Sequence, residues 1–478
     1  MNIEFFGAAG EVTGSCHILH VKGNSGGRTI LLDCGLIQGG RKDEARNADP
    51  FPFDAATVDA VVLSHSHLDH CGRLPLLVKR GFRGPIFAES ATCELAAILL
   101  ADAAHLAQRD AEYMSRKTGK RVKPLYTMAD GEDAVRQMQR RKYREKFPVV
   151  PGVEVCFRDA GHILGSCSVE LWLEEEGVQR KLVFSGDIGQ YDTPILKDPE
   201  CIDSADVVLI ESTYGSRCHR DRSETVQEIG EIISAARAGK GNILIPAFAI
   251  GRSQEVLYML GRHFDEWELG RFQIFLDSPM AIEASKVYWG NAQLYDEEAS
   301  RLRKQMSVGK GGDENGGMPM LPNLKLTRSP EDSMAINHIR SGAIIIAGSG
   351  MCTGGRIVHH LKHNLPYAHN HVIIAGYQAF GTLGRKLVDG FEMVRIHNEE
   401  IPVKAKIHTV GGLSAHGDQE DLARWYECMA NRPPVYLVHG ERESQTAFKE
   451  YLSARNGAEV HLPDPGDILD LGALPERA

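Results

Sequence analysis

Residues 65–70 carry four candidate metal ligands, His65, His67, Asp69 and His70, between an apolar run and an amphipathic one. In an extended segment, side chains two residues apart point to the same side, so His65 and His67 can bind one ion together. Asp69 and His70 begin the following turn and can approach a second ion. Zinc takes imidazole nitrogen and carboxylate oxygen as ligands in hydrolytic sites. The alternative is a polar turn with Asp69 as a helix N-cap, but a cap needs one polar residue and not four metal-type ligands.

A two-metal site needs further ligands at distant strand ends, and two residues fit that requirement. His162 lies in a glycine-flanked turn and suits a third imidazole for the first ion, and Asp187 follows a predicted strand and suits a carboxylate shared by both ions. Taken singly, His162 is better explained as a hydrogen-bonded core histidine and Asp187 as a turn residue. The histidine cluster at residues 65–70 favours the metal interpretation for both.

Length and composition indicate a globular protein of two or three domains. The chain has 478 residues, of which 42% are hydrophobic and 25% charged, and these values are ordinary for a globular chain with a sizeable core. We see no apolar run long enough to span a bilayer and no secretory signal at the amino terminus, so a cytoplasmic location without membrane contact is the default prediction. The ten cysteines include no Cys-x-x-Cys motif, which favours buried thiols over a disulfide framework or a thiolate zinc site.

Positive charge is concentrated in one part of an acidic chain. The net charge is −10, which argues against nonspecific coating of nucleic acid but allows a local basic groove. Residues 109–146 contain 12 Lys or Arg and 6 Asp or Glu, which gives 12 − 6 = +6. This segment is explained either as a solvated helical face or as a surface for a phosphate backbone, and the sequence leaves both open.

Apolar strands alternate with helical patterns along the rest of the chain, which predicts a mixed α/β protein with buried, mostly parallel sheets. Several of these strands end in polar residues, among them Glu211 and His439, and open α/β sheets place their ligands at such ends. The region from about 208 to 395 is predicted to be a self-contained α/β unit. Residues 307–323 are rich in glycine and are predicted to be a surface insertion.

The metal-type residues together resemble a known signature. The motif at residues 65–70, followed by His162 and then Asp187, is similar to that of the metallo-β-lactamase superfamily. Three later segments resemble motifs A, B and C of its β-CASP branch, which processes nucleic acids: Glu211, residues 414–418 (Ser-Ala-His-Gly-Asp) and residues 438–441 (Val-His-Gly-Glu). DNA-processing members carry an aliphatic residue at motif C where this chain has a histidine. The resemblance therefore points to RNA-processing members such as RNase J and the bacterial relatives of the cleavage and polyadenylation nuclease.

The resemblance implies a domain plan. Residues 1–207 and 395–478 would jointly form an αββα metallo-β-lactamase domain, and residues 208–394 would form an α/β β-CASP domain inserted between them.

The resemblance also implies two zinc ions per chain. Their expected ligands are His65, His67, His162 and Asp187 for the first ion, and Asp69, His70, Asp187 and His439 for the second. Two such ions can hold a bridging water as hydroxide for in-line attack on phosphorus. The expected catalytic residues are His416 as general acid, Glu211 as the group that holds it, and Asp69. Asp33 is expected to anchor a ligand histidine, with a plain turn aspartate as the alternative.

Substrate contacts are predicted at four residues. Ser349 and Arg356 lie in a glycine-rich turn after a strand, which suits binding of phosphate by backbone N–H groups, although such turns are common. Arg252 precedes a helix and is explained either as a phosphate ligand or as half of a buried structural ion pair. Ser414 stands beside the expected acid His416.

These features favour a zinc-dependent ribonuclease that cuts single-stranded RNA internally. Alternatives are 5′-to-3′ exonuclease action, hydrolysis of a small thioester or ester, and a metal-free RNA-binding or scaffolding subunit. The last is disfavoured because every expected ligand is present. The sequence leaves open whether manganese replaces zinc and whether the chain forms a homodimer.

Overall fold

The computed structural model describes residues 1–23, 26–307, 321–376 and 378–475. Most of the predicted insertion, residues 308–320, lies outside the described residues. The strands are β1 (Asn2–Gly7), β2 (Cys16–Gly23), β3 (Gly26–Leu32), β4 (Ala60–Val62), β5 (Ile86–Glu89), β6 (Met138–Arg141), β7 (Lys146–Val150), β8 (Val153–Asp159), β9 (Cys167–Glu175), β10 (Val178–Phe184), β11 (Val207–Glu211), β12 (Ile243–Pro246), β13 (Gln273–Leu276), β14 (Leu324–Leu326), β15 (Ala343–Ala347), β16 (His371–Ile374), β17 (Met393–Ile396), β18 (Glu399–Pro402), β19 (Lys406–Thr409), β20 (Val435–Val438), β21 (Val460–His461) and β22 (Ile468–Asp470).

Helices connect most of these strands. They are α1 (Arg41–Ala45), α2 (Leu68–Cys71), α3 (Leu74–Lys79), α4 (Ser90–Thr118), α5 (Met128–Arg136), α6 (Arg222–Ala238), α7 (Arg252–Arg262), α8 (Pro279–Gly290), α9 (Glu297–Ser307), α10 (Pro330–Ile336), α11 (Arg356–Asn364), α12 (Leu383–Val388), α13 (Gln419–Glu427) and α14 (Arg442–Asn456). The elements group into two compact units, one of residues 1–218 and 416–478 and one of residues 219–415.

The first unit contains two seven-stranded sheets, ordered β22-β1-β2-β3-β4-β5-β6 and β21-β20-β11-β10-β9-β8-β7 within the described residues. Their inner faces share one apolar core, in which Leu19 and Val62 of the first sheet pack with Leu171 and Leu209 of the second. Helices α3–α5 cover the outer face of the first sheet, and α13 and α14 cover that of the second. Each amphipathic layer thus buries its apolar face against the next, and the predicted αββα arrangement is confirmed.

The parallel strands of both sheets place polar residues along shared edges. Strands β3, β4 and β5 pair in parallel, as do β10, β11 and β20. Asp33 and His65 follow the first set, and Asp187, Glu211 and His439 follow or end the second. Because carboxyl ends of parallel strands meet at one edge, these residues are gathered although they are distant in sequence.

The second unit is built on a parallel sheet of order β14-β13-β15-β12-β16-β19, with β17 and β18 forming a separate hairpin. Its central strands are apolar throughout, as expected for a sheet covered on both faces. The sequence places the end of this unit near residue 394. In the structure β19 pairs with β16, so the unit extends to Ala415.

Helix α4 corrects one expectation about apolar runs. It is the one described helix long and apolar enough, by composition, to cross a membrane. Its apolar residues, including Leu95, Leu100 and Ala104, are buried against the first sheet and its neighbouring helices. One such helix is weak evidence for a membrane span, because helices in the core of a folded domain can have the same length and composition, and 44% of the apolar stretch of α4 is buried.

A disulfide bond joins Cys201 to Cys428, contrary to the prediction that the cysteines are free thiols. The two residues are separated by 227 positions, so only tertiary proximity pairs them. Hydrogen bonds join the same segments: Trp425 Nε1 donates to the Glu200 carbonyl at 3.2 Å and the Ala430 N–H donates to the Asp203 carbonyl at 3.0 Å. The other cysteines are free, and all of these except the exposed Cys218 are buried.

Candidate metal centre

The turn after β4 brings the histidines of the first motif together. His65 lies three residues after the end of β4, and its Nε2 lies 3.1 Å from His67 Nδ1. His67 is then the residue before α2 and makes no side-chain cap bond, while Asp69 lies inside that helix. Asp69 is therefore not an N-cap. Gly35 permits this turn, because a Cβ there would lie 1.5 Å from the Asp69 carbonyl oxygen.

One group of four ligand-type side chains surrounds a common point. His65, His67, His162 and Asp187 offer atoms that all lie within 4.8 Å of one another. His162 Nε2 is 3.2 Å from His67 Nδ1 and 3.6 Å from Asp187 Oδ2. His65 Nε2 is 3.5 Å from the same carboxylate oxygen. Three imidazoles and one carboxylate match the donor set of a hydrolytic zinc ion.

A second group adjoins the first. Asp69, His70 and His439 also offer atoms within 4.8 Å of one another. His70 Nε2 and His439 Nε2 face each other at 3.1 Å, and His439 Nε2 is 3.6 Å from Asp69 Oδ2. Asp187 lies beside this group too, with its Oδ2 3.3 Å from His70 Nε2. The carboxylate of Asp187 is thus positioned to be shared between two ions.

The residues present fit a pair of bound cations. Asp187 Oδ1 is buried without a hydrogen-bond partner, and an unpaired buried carboxylate oxygen is costly. Ring nitrogens of His65, His67 and His162 converge at hydrogen-bonding distance although neutral imidazole has one donor only. Burial lowers the pKa of His65 and lowers that of His67 to about 4, so both are held in the neutral form that binds metal. A divalent cation at each group would satisfy these atoms.

Asp33 holds one ligand histidine in place. Its buried carboxylate lies 2.7 Å from His70 Nδ1, which leaves Nε2 directed at His439 and Asp187. The same carboxylate accepts bonds from the Ser64 N–H at 2.7 Å and from the Ser64 hydroxyl at 2.9 Å. Such partners fix the tautomer and orientation of a ligand imidazole.

We expect Asp33→Ala to lower metal affinity by about 10–100-fold, because His70 loses the group that orients it. Isothermal titration of the metal-free variant with zinc measures this. Asp59→Ala is the matched control, since Asp59 also bonds a neighbouring N–H, that of Thr29 at 2.8 Å. Equal zinc affinity in both variants would contradict the role assigned to Asp33.

His416 and Glu211 form a pair beside the two ligand groups. His416 Nδ1 lies 3.0 and 3.1 Å from the two oxygens of Glu211, which is fully buried. Glu211 also accepts a bond from the Ile188 N–H at 2.8 Å. Burial alone would lower the pKa of His416, but the carboxylates of Glu211 and Asp187 raise it to about 9. The imidazole therefore carries its proton at neutral pH.

Sequence reasoning missed two residues that support the ligands. Thr213 Oγ1 lies 3.0 Å from His439 Nδ1, which orients the other ring nitrogen toward His70. Ser166 Oγ accepts a bond at 3.1 Å from the N–H of His162. Thr213 could have been found as a hydroxyl two residues after Glu211 at the same strand end, whereas Ser166 carries no such signal.

Arg356 and Arg252, two of the predicted substrate contacts, lie in ion pairs of the second unit. Arg356 Nη1 is 2.6 Å from the buried carboxylate of Asp277 and 3.0 Å from the Thr327 carbonyl. Arg252 pairs with Glu255. These contacts match the structural alternative for both arginines, and their substrate roles stay predictions.

Ser349 and Ser414 are the other two predicted substrate contacts. The Ser349 hydroxyl accepts bonds from the N–H groups of Thr353 at 3.0 Å and Gly354 at 3.2 Å, so it closes the glycine-rich loop. Ser414 is half-buried, two residues before His416. Contact of either serine with substrate stays a prediction.

Three family models match this chain. The metallo-beta-lactamase superfamily matches residues 10–161 and the Beta-Casp domain matches residues 253–387. The Zn-dependent metallo-hydrolase RNA specificity domain matches residues 400–463. The three matches follow the order of the motifs that carried the resemblance in the sequence.

Similar proteins cover nearly the whole chain. Ribonuclease TTHA0252 of Thermus thermophilus is 40% identical over 468 residues, which is 98% of this chain and 99% of the relative. The transcription termination factor FttA of Methanocaldococcus jannaschii is 29% identical over 97% of this chain and 70% of its own length. The RNase J-like protein of the same organism is 28% identical over 98% of this chain and 99% of its own.

Proposed function

The chain belongs to the β-CASP family of metallo-β-lactamase-type hydrolases that act on RNA, and from this membership we propose that it is a zinc-dependent endoribonuclease for single-stranded RNA. The observation that carries the proposal is Asp187, whose carboxylate lies between the two histidine groups and beside His416. The match to an RNA specificity domain gives no support to the alternative of a small-ester hydrolase.

Each ligand group of this chain would hold one cation. His65, His67 and His162 with Asp187 form one set, and Asp69, His70 and His439 with the same Asp187 form the other. When bound, two divalent cations lower the pKa of a water and neutralise charge on the phosphate. Asp33 and Thr213 keep the second set oriented through His70 and His439.

Protonation of the leaving ribose oxygen falls to His416. A leaving alkoxide needs a proton, and an imidazolium near neutral pH supplies one efficiently. Glu211 holds His416 through Nδ1 and keeps it protonated. Glu211 is therefore a positioning residue, and its effect should appear in the pH dependence of the reaction.

We expect Glu211→Gln to move the alkaline limb of the pH profile to lower pH by about 1–2 units, because removing an adjacent opposite charge lowers the pKa of His416 by that order. The sign follows from the acid role: activity is present while His416 is protonated and is lost as the pH rises through its pKa. The measurement is kcat/KM against pH on a labelled RNA.

Glu154→Gln is the control for that experiment, since Glu154 makes an exposed ion pair with Lys146. An alkaline limb that stays in place in Glu211→Gln, with activity otherwise reduced, would contradict the role of Glu211.

Circular RNA separates internal cleavage from trimming. We expect the zinc-loaded protein to convert a circular single-stranded RNA to a linear product, because an endonuclease needs no free end. Degradation of the linear 5′-phosphorylated RNA with the circle left intact would show a 5′-to-3′ exonuclease instead. Elemental analysis of the same preparation should give two zinc ions per chain. The cytoplasmic location and a homodimer stay predictions.

A further inference from the structure

The basic segment 109–146 contributes no residue to the two ligand groups or to the His416–Glu211 pair. In the structure, its two parts have different surroundings. In the later part, five of the six cations are neutralised by neighbouring carboxylates, and the sixth, Arg141, instead lies 4.9 Å from the ring centroids of Phe87 and Phe147. The pairs are Arg136 with Glu132 and Asp133, Arg140 with Glu94, Lys142 with Glu145, Arg144 with Glu200, and Lys146 with Glu154. That part is a solvated, charge-balanced face.

The earlier part, residues 109–125, is not balanced in this way. It comprises the last turns of α4 and the loop that follows, and we call it the basic end of α4. It contains six Lys or Arg and two Asp or Glu, a net of 6 − 2 = +4 in a chain of net −10. All six of its cations are exposed and make no ion pair with any of the described residues: Arg109, Arg116, Lys117, Lys120, Arg121 and Lys123.

An aromatic ring lies among these charges. Tyr113 is 57% exposed, and the Lys117 ammonium lies 5.9 Å from its ring centroid. Arg109 and Arg116 share the same helix face, since they stand four residues before and three residues after Tyr113. Proteins that bind single-stranded nucleic acid combine a basic surface with aromatic rings on which bases stack. This face offers both.

Local hydrogen bonds order the loop. Gly119 takes a positive φ of 68° and ends α4, so the chain turns back along the helix. The Val122 N–H then donates to Ser115 Oγ at 2.8 Å. An ordered loop loses less entropy on binding a ligand. Favourable interaction with the helix dipole accounts for Arg116 and Lys117 at the end of α4, but not for the loop cations or the exposed tyrosine.

The basic end of α4 is far from the metal centre. Near its other end, Thr92 Oγ1 donates at 2.7 Å to the Gly165 carbonyl, in the loop that carries His162. Lys117 stands 117 − 92 = 25 residues further, about 38 Å along a helix that rises 1.5 Å per residue. At 3.4 Å per stacked nucleotide this equals about 11 nucleotides. These cations therefore cannot touch the phosphate that is cleaved.

We propose that residues 109–125 form a second binding surface for single-stranded RNA, which takes phosphates on the cations and a base on Tyr113 while another part of the same strand lies at the metal centre. The inference rests on the proposed RNA cleavage and adds a dependence on RNA length. It accounts for a concentration of positive charge that an acidic protein retains away from its reaction centre.

Two RNAs test this surface, one of about 5 nucleotides, which is too short to reach it, and one of about 40 nucleotides. In the triple variant Arg116→Gln, Lys117→Gln and Arg121→Gln, we expect KM for the long RNA to rise about tenfold with kcat unchanged. The short RNA should be cleaved as by the wild type. The slope of log affinity against log salt for the long RNA should fall by about 2, at about 0.7 per phosphate contact.

The control variant removes the same charge from paired positions. It is Arg136→Gln, Arg140→Gln and Lys146→Gln, three cations that are bonded to carboxylates. A second pair of variants, Tyr113→Leu and Tyr113→Phe, tests base stacking without changing the charge. Only the leucine variant, which lacks the aromatic ring, should weaken binding of the long RNA.

The outcomes are distinct. If both triple variants behave alike on the long RNA, or if the first affects short and long RNA equally, the second surface does not exist. If the wild type cleaves neither RNA, the proposed function itself has failed.

Discussion

Asp187→Asn should abolish RNA cleavage, with kcat lowered by about 10⁴-fold or more, which corresponds to about 5.4 kcal/mol in activation free energy. The carboxylate lies 3.3–3.7 Å from ring nitrogens in both ligand groups, those of His65, His70, His162 and His439. The substitution removes the one carboxylate that both ligand groups would share, so both bound cations would lose an anionic ligand. Bound zinc, measured by elemental analysis after dialysis, should fall well below two ions per chain.

Asp206→Asn is the matched control, because Asp206 is half-buried in the same unit and its side chain accepts a bond from the Lys181 N–H at 2.7 Å. It should keep both zinc and activity. Circular dichroism melting should show that Asp187→Asn is folded. A folded Asp187→Asn protein that retains two zinc ions and cuts RNA at the wild-type rate would overturn the assignment of the metal centre.

His416→Ala should lower kcat by about 10²–10⁴-fold while zinc content stays at the wild-type value, because the proposed mechanism assigns the ring the role of proton donor and not of metal ligand. This combination distinguishes His416 from Asp187. A substrate with sulfur at the leaving position needs no proton, so the variant should cleave this RNA at nearly the wild-type rate. The measurement compares kcat on the two RNAs for each protein.

His461→Ala serves as the control, since His461 also pairs with a glutamate, Glu459 at 3.0 Å, but is not part of the ligand groups. Its activity should equal that of the wild type on both RNAs. Loss of zinc in His416→Ala, or an equal loss on both substrates, would show that His416 is not the general acid.

Most of the candidate site could be predicted from local sequence because its chemistry is carried by rare residue types in short spacings. His65 and His67 alternate on one side of an extended segment, and Asp69 and His70 follow in the next turn. The αββα arrangement and the family also follow from such patterns, and the comparisons confirm both. The turn geometry then rejects the N-cap interpretation of Asp69.

Other features depended on contacts that no local pattern encodes. Arg356 resembled a phosphate ligand in sequence, but its guanidinium pairs with Asp277, 79 positions away. Cys201 and Cys428 looked like isolated thiols until the fold placed them together. The basic segment carries cations along its whole length in sequence, yet among the described residues only those of its later half form ion pairs with carboxylates.

The sequence by itself determined which residues are candidate metal ligands, which strands are buried and which family the chain belongs to, because residue type and hydrophobic period act over a few positions. Only the tertiary structure decided that Asp187 adjoins both histidine groups, that Glu211 holds His416, and which cations stay unpaired. The physical reason is that these pairings join residues tens to hundreds of positions apart. They arise when two sheets bury their apolar faces against each other and the ends of their parallel strands come together at one edge.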